Sequence, residues 1–255
     1  MTQNQIPNPY AADPAAHPSA PAPSHPRVST SPAALGVKPD ARLASAFLSQ
    51  AFLWMFAGLL LTAGIASVVQ GSDPLLVFAQ RNIFLLFIAQ LAIVVVISGA
   101  INRISASAAL LLFFVYAASL GLTMGLIVAH YAQASVVTAF VSASVMFGAA
   151  GVYGHVTKRS LAAMGSLLFM GLIGLLVAMV VNIFLNSSQV TWIISIVGVL
   201  LFTALTAYDV QRIQSGAFAA QTGSMEKAAV IGALHLYLDF INLFLFILRL
   251  LGGRN

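Results

Sequence analysis

The stretch Ala228–Leu251, AAVIGALHLYLDFINLFLFILRLL, constrains this chain most. At about 1.5 Å of rise per residue it is long enough to cross a bilayer. Yet it carries His235, Asp239, Asn242 and Arg249 among its apolar residues. Counted from His235, the other three fall at offsets of 4, 7 and 14, an arc of about 80° at roughly 100° per residue. A carboxylate in hydrocarbon is tolerated only where it faces protein or a water-filled cavity. This span is therefore expected to be the inner helix of a bundle, with the other spans packed round it.

The rest of the chain supplies those spans. Of its 255 residues 60% are hydrophobic and only 7% charged, where a soluble domain is about a quarter charged. Seven apolar spans are predicted: 47–69, 83–100, 108–131, 135–153, 162–185, 191–210 and 228–251. The fold class is all-α, a polytopic membrane protein of seven transmembrane helices with the last helix central. Prolines are missing from every span, and Pro74 is expected in a loop. Gly121, Gly125, Gly148, Gly151, Gly165, Gly171 and Gly174 crowd spans three to five and predict close helix packing; glycine flexing along a permeation path is the other reading. Cysteine is absent, so thiolate chemistry and cysteine metal sites are not available.

The first 41 residues are of another composition. Nine of the ten prolines lie there, among Ala, Ser and polar residues. A mobile, solvated tail over 1–41, followed by a membrane domain over 42–255, is expected; a proline-rich docking arm is the alternative. The tail has no apolar run, so no signal peptide is expected. Basic residues predict orientation. With the tail inside, inner segments hold Arg27, Lys38, Arg42, Arg103, Lys158, Arg159, Arg212 and Lys227, against Arg81 outside. The N-terminus is then cytoplasmic and the C-terminus, with Arg254, outside. The basic residues do not cluster, so no nucleic-acid partner is expected; the bilayer is.

Only two acidic residues fall within spans, Asp209 in LTAYDVQRIQ and Asp239. Their spans are antiparallel neighbours, with the aspartates offset in depth by about 10 Å. The offset closes if span six extends past Arg212 or span seven starts in the aqueous layer. Two carboxyl groups that met there could not both ionise comfortably and would share a proton. Equally, each could bond a neighbour, Asp209 with Arg212 and Asp239 with His235.

The segments TAYDVQRI and LHLYLDFINLFLFILRLLG, with INRISASAALLLFFVYAASLGLT earlier, resemble the Bax inhibitor (lifeguard-type) membrane family in a bacterial form. The resemblance spans about residues 42–253. It implies seven helices with the last wrapped by the other six, in a bacterial inner membrane. It also implies a pH-sensitive calcium leak channel in which Asp209 and Asp239 form the proton-sharing gate and take calcium transiently. By the same resemblance Arg103 latches to Asp239, and Arg249 is the arginine near the end of the last helix. Where calcium-leak members have a glutamate that pairs with that arginine, Gln90 stands here, which can accept a hydrogen bond but not form an ion pair. No cofactor is implied; calcium is the permeant ion. Arg103 could equally be a positive-inside anchor.

Other functions fit less of the sequence. Two membrane aspartates resemble those of presenilin-type intramembrane aspartyl proteases, where such a pair activates water. Those carry GxGD and a Pro-Ala-Leu motif; here Leu236, Tyr237 and Leu238 precede Asp239 and no proline follows. His235 and Asp239 have metal-ligand spacing but lack a third ligand other than Asn242. No enzyme is expected. Some bacterial relatives modulate an ATP-dependent membrane protease through a mobile N-terminal tail, so a regulatory protein bound to such a protease is the alternative function.

Overall fold

The computed structural model describes residues 41–252. The expected tail and Arg254 lie outside the described residues. The helices are α1 (Ala41–Gln70), α2 (Asp73–Arg81), α3 (Ile83–Ala100), α4 (Ala106–Val128), α5 (Gln133–Val156), α6 (Gly165–Leu185), α7 (Ser188–Gln214), α8 (Ala217–Thr222) and α9 (Met225–Leu251). A short 3-10 turn, Ala162–Met164, leads into α6. No strand occurs among the described residues. Seven helices, all but α2 and α8, are long and apolar enough to cross a membrane. The helix suits hydrocarbon because it satisfies its own backbone polar groups.

Local chemistry sets several boundaries. Ser105, Ser187 and Ser224 cap α4, α7 and α9, each accepting a backbone N–H three residues on. Pro74 is not in a loop: it lies in the first turn of α2, where its missing N–H costs no helical bond. Span six runs past Val210 to Gln214, beyond the reach of its apolar run. Gln211 holds that extension in place. Its Oε1 accepts from Leu161 N at 2.6 Å and its Nε2 donates to Arg159 O at 2.8 Å. The stretch after span six is not plain loop either. It contains α8, bracketed by Gly216 and Gly223, whose φ of 70° and 62° suit residues without a Cβ.

Helix α9 is the core. Of its span 78% is buried, against at most 44% in any other. It packs on α1, α4, α5, α7 and α8, whereas α3 rests mainly on α4 and α6 mainly on α7. Four spans rather than six therefore form its wall, and α3 and α6 are the most lipid-facing, with 11% of each span buried. Backbones approach closely where glycine permits it. A Cβ at Gly125 would stand 2.6 Å from Val69 Cβ on α1, and one at Gly154 would run into the Ala207 carbonyl on α7. Gly148 and Gly174 face open space, so close packing holds for only some of the crowded glycines.

Candidate functional site

Two helix ends and one short helix build the site. The C-terminal part of α7 and the N-terminal half of α9 run antiparallel at the end of the bundle that also carries Arg103, Lys158, Arg159, Arg212 and Lys227. Both aspartates are buried there, Asp209 at 3% exposure and Asp239 at 4%. His235 Nδ1 lies 3.1 Å from Asp209 Oδ2, and the imidazole side chain keeps 34% of its surface exposed. This pairing crosses between helices. It replaces both expected neighbour bonds, because Arg212 turns away to Gln221 Oε1 at 3.2 Å and His235 is taken by Asp209 rather than Asp239.

Asp239 sits one helical turn further along α9 from His235. Among the described residues its Oδ2 has no hydrogen-bond partner. Among the described residues no hydrogen bond joins the two carboxyl groups; Asp209 bonds His235 instead. The direct carboxyl–carboxylate bond is thus replaced by an Asp209–His235 pair with Asp239 beside it. The depth offset narrows to about one helical turn, because α7 extends past Arg212 and α9 begins at Met225, before the apolar run. A buried polar group left without a hydrogen bond costs about 1–3 kcal/mol. Such a group is a reservoir that hydration or movement would release.

Sequence reasoning missed the cover of this site. Phe218 of α8 is buried, with its ring edge-on to His235 at 5.1 Å between centroids. The Arg212 guanidinium lies 4.3 Å over the same ring. The glycines flanking AFAAQT were the only signal of a separate short element in the sequence.

The other expected site residues are dispersed. Arg103 is exposed in the turn between α3 and α4, and among the described residues it forms no ion pair, with Asp239 or any other carboxylate. Gln90 is buried and donates to Ser119 O, Ser119 Oγ and Thr123 Oγ1, tying α3 to α4 rather than to Arg249. Asn242 donates to Leu238 O one turn back. Arg249 lies at the far end of α9, 5.6 Å from the Phe246 ring. The polar stripe is nonetheless a real face: His235, Leu238, Asn242, Leu245 and Arg249 are the less covered positions along the middle of α9. Asp239 stands at its margin, buried. No group of three His, Cys, Asp or Glu side chains able to hold a metal ion occurs among the described residues.

Residues 44–255 match the family described as inhibitor of apoptosis-promoting Bax1. The chain belongs to the Bax inhibitor family. Among its relatives is the inner membrane protein YbhL of Escherichia coli K12, 43% identical over 86% of this chain and 96% of that protein. An uncharacterized protein of Deinococcus radiodurans is 42% identical over 82% of this chain and 91% of its own length. One of Borreliella burgdorferi is 40% identical over 86% and 96%. This Bax inhibitor family chain is accordingly a multi-pass membrane protein, and the motifs around Asp209 and Asp239 lie inside the matched region.

Proposed function

We propose that this protein is a pH-sensitive calcium leak channel of a bacterial inner membrane, gated where α7 meets α9. The observation that carries the reading is Asp239, a buried carboxyl group whose Oδ2 has no partner among the described residues, one turn from the Asp209–His235 pair. A group so placed is tolerated while neutral and costly once charged. Loss of its proton would set two carboxylates close together in a poorly solvated place. Repulsion would part α7 from α9, and the freed carboxylates offer the hard oxygen ligands that suit passing calcium. His235, with about a third of its side chain exposed, gives protons a way in from the aqueous side. The surplus of basic residues at this end supports a cytoplasmic gate, with the N-terminus inside and the C-terminus outside.

The test is calcium entry into dye-loaded liposomes holding the purified full chain, scanned between about pH 5 and 8. Entry that rises with pH supports the channel; protein-containing liposomes no leakier than empty ones at every pH would end this reading. Removing residues 1–40 separates it from the alternative of a tail-borne protease regulator. The channel keeps its flux without the tail, whereas binding to a membrane-bound ATP-dependent protease through the tail would be lost.

A further inference from the structure

At the end of the bundle opposite Asp209, the closing turns of α4, α6 and α9 meet the start of α7 around a cleft of about 780 Å³. That volume is in the range of ligand pockets, roughly 300–1,000 Å³. Its walls differ in chemistry. Met179, Ile183 and Leu245 give an apolar face, and Asn182, Thr191 and Arg249 a polar one. Asn182 and Thr191 are already satisfied: Asn182 Nδ2 donates to Thr191 Oγ1 at 2.7 Å, and Asn182 Oδ1 accepts from Ser187 N at 3.3 Å. Arg249 is different. Among the described residues no carboxylate lines the cleft and the guanidinium has no acidic partner.

A guanidinium in the last turn of a membrane span sits at the level of lipid headgroups, where its planar fork matches a phosphate in bidentate fashion. We propose that this cleft binds a phosphate-headed anionic glycerolipid, with the phosphate on Arg249 and an acyl chain along Met179, Ile183 and Leu245. The apolar wall is what distinguishes a lipid from free phosphate, because a bare anion leaves that wall unused. The site lies at the far end of α9 from the two aspartates and does not depend on the channel reading.

The probe is phosphatidylglycerol added to micelles of the purified full chain, with retained lipid read by native mass spectrometry. Diacylglycerol with the same chains supplies the tails without the phosphate. Wild type is expected to retain phosphatidylglycerol and not diacylglycerol, and millimolar inorganic phosphate is expected not to displace it. Arg249→Gln should weaken retention by about tenfold or more, as befits loss of a charge-assisted contact. Arg81→Gln, a basic residue at the same end but outside the cleft, should leave it unchanged. Leu245→Trp keeps the charge but fills the apolar half, and should also expel the lipid. Equal retention by Arg249→Gln and wild type, or by Leu245→Trp and wild type, would overturn the site. Equal retention of diacylglycerol would show that the phosphate is not recognised, and displacement by inorganic phosphate would make the occupant a free anion rather than a lipid; either result overturns the proposal.

Discussion

His235 Nδ1 stands 3.1 Å from Asp209 Oδ2, joining α9, the most buried of the spans, to α7. Removing the imidazole leaves a buried carboxylate oxygen without its donor. His235→Ala is therefore expected to destabilise the folded protein by about 1–3 kcal/mol, seen as a lower Tm in detergent. A Tm equal to wild type would mean that the pair holds nothing together.

Asp239 predicts the opposite sign. Its Oδ2 has no partner among the described residues and the side chain is buried. Asp239→Leu replaces an unsatisfied polar group by a branched apolar one with the same heavy-atom skeleton. It should leave the bundle as stable as wild type or more so, by up to about 1–3 kcal/mol, while abolishing any response to pH. A marked loss of stability would show that Asp239 makes a structural bond the present arrangement lacks.

The fold was legible where periodicity and hydropathy speak, and less so where polar side chains extend a helix. The seven spans and the inner position of the last follow from apolar length and from His235, Asp239, Asn242 and Arg249 on one arc. The end of α7 was set too early, at Val210, because Gln211 and Arg212 look like loop. In the folded chain Gln211 is bound to the α5–α6 connection and the helix continues. The partner of Asp209 depended on that extension, so sequence spacing left it open. Helix α8 was illegible because AFAAQT is too short to show a period, and only its flanking glycines mark it. The place of Gln90 was legible as a polar residue in a span, but its partners Ser119 and Thr123 lie on another helix, which no local pattern reports.

Glycine positions give a paired test of the packing. Gly125→Ala puts a Cβ against Val69 and the Ala66 carbonyl where α4 crosses α1, and overpacking of this kind costs about 1–3 kcal/mol. Gly148→Ala meets open space and should be neutral or slightly stabilising. Thermal unfolding of both variants checks this, and an equal loss at Gly148 would contradict the helix arrangement.

Arg103 is exposed and without an ion pair among the described residues. As a plain anchor it needs only its charge, so Arg103→Lys should match wild-type calcium leak at each pH. A higher leak in the lysine variant at low pH would instead call for a bidentate contact that only arginine's planar fork provides.

The central claim is that Asp209 and Asp239 together set the pH response, and calcium flux of Asp209→Asn and Asp239→Asn in liposomes tests it most directly. Wild-type flux should be low near pH 5 and higher near pH 8, since losing a proton puts like charges side by side between α7 and α9. Each asparagine removes one of the two charges, so each variant should give a nearly flat profile over the same range, whatever its basal leak. If both variants keep the full wild-type dependence on pH, the two aspartates are not the gate.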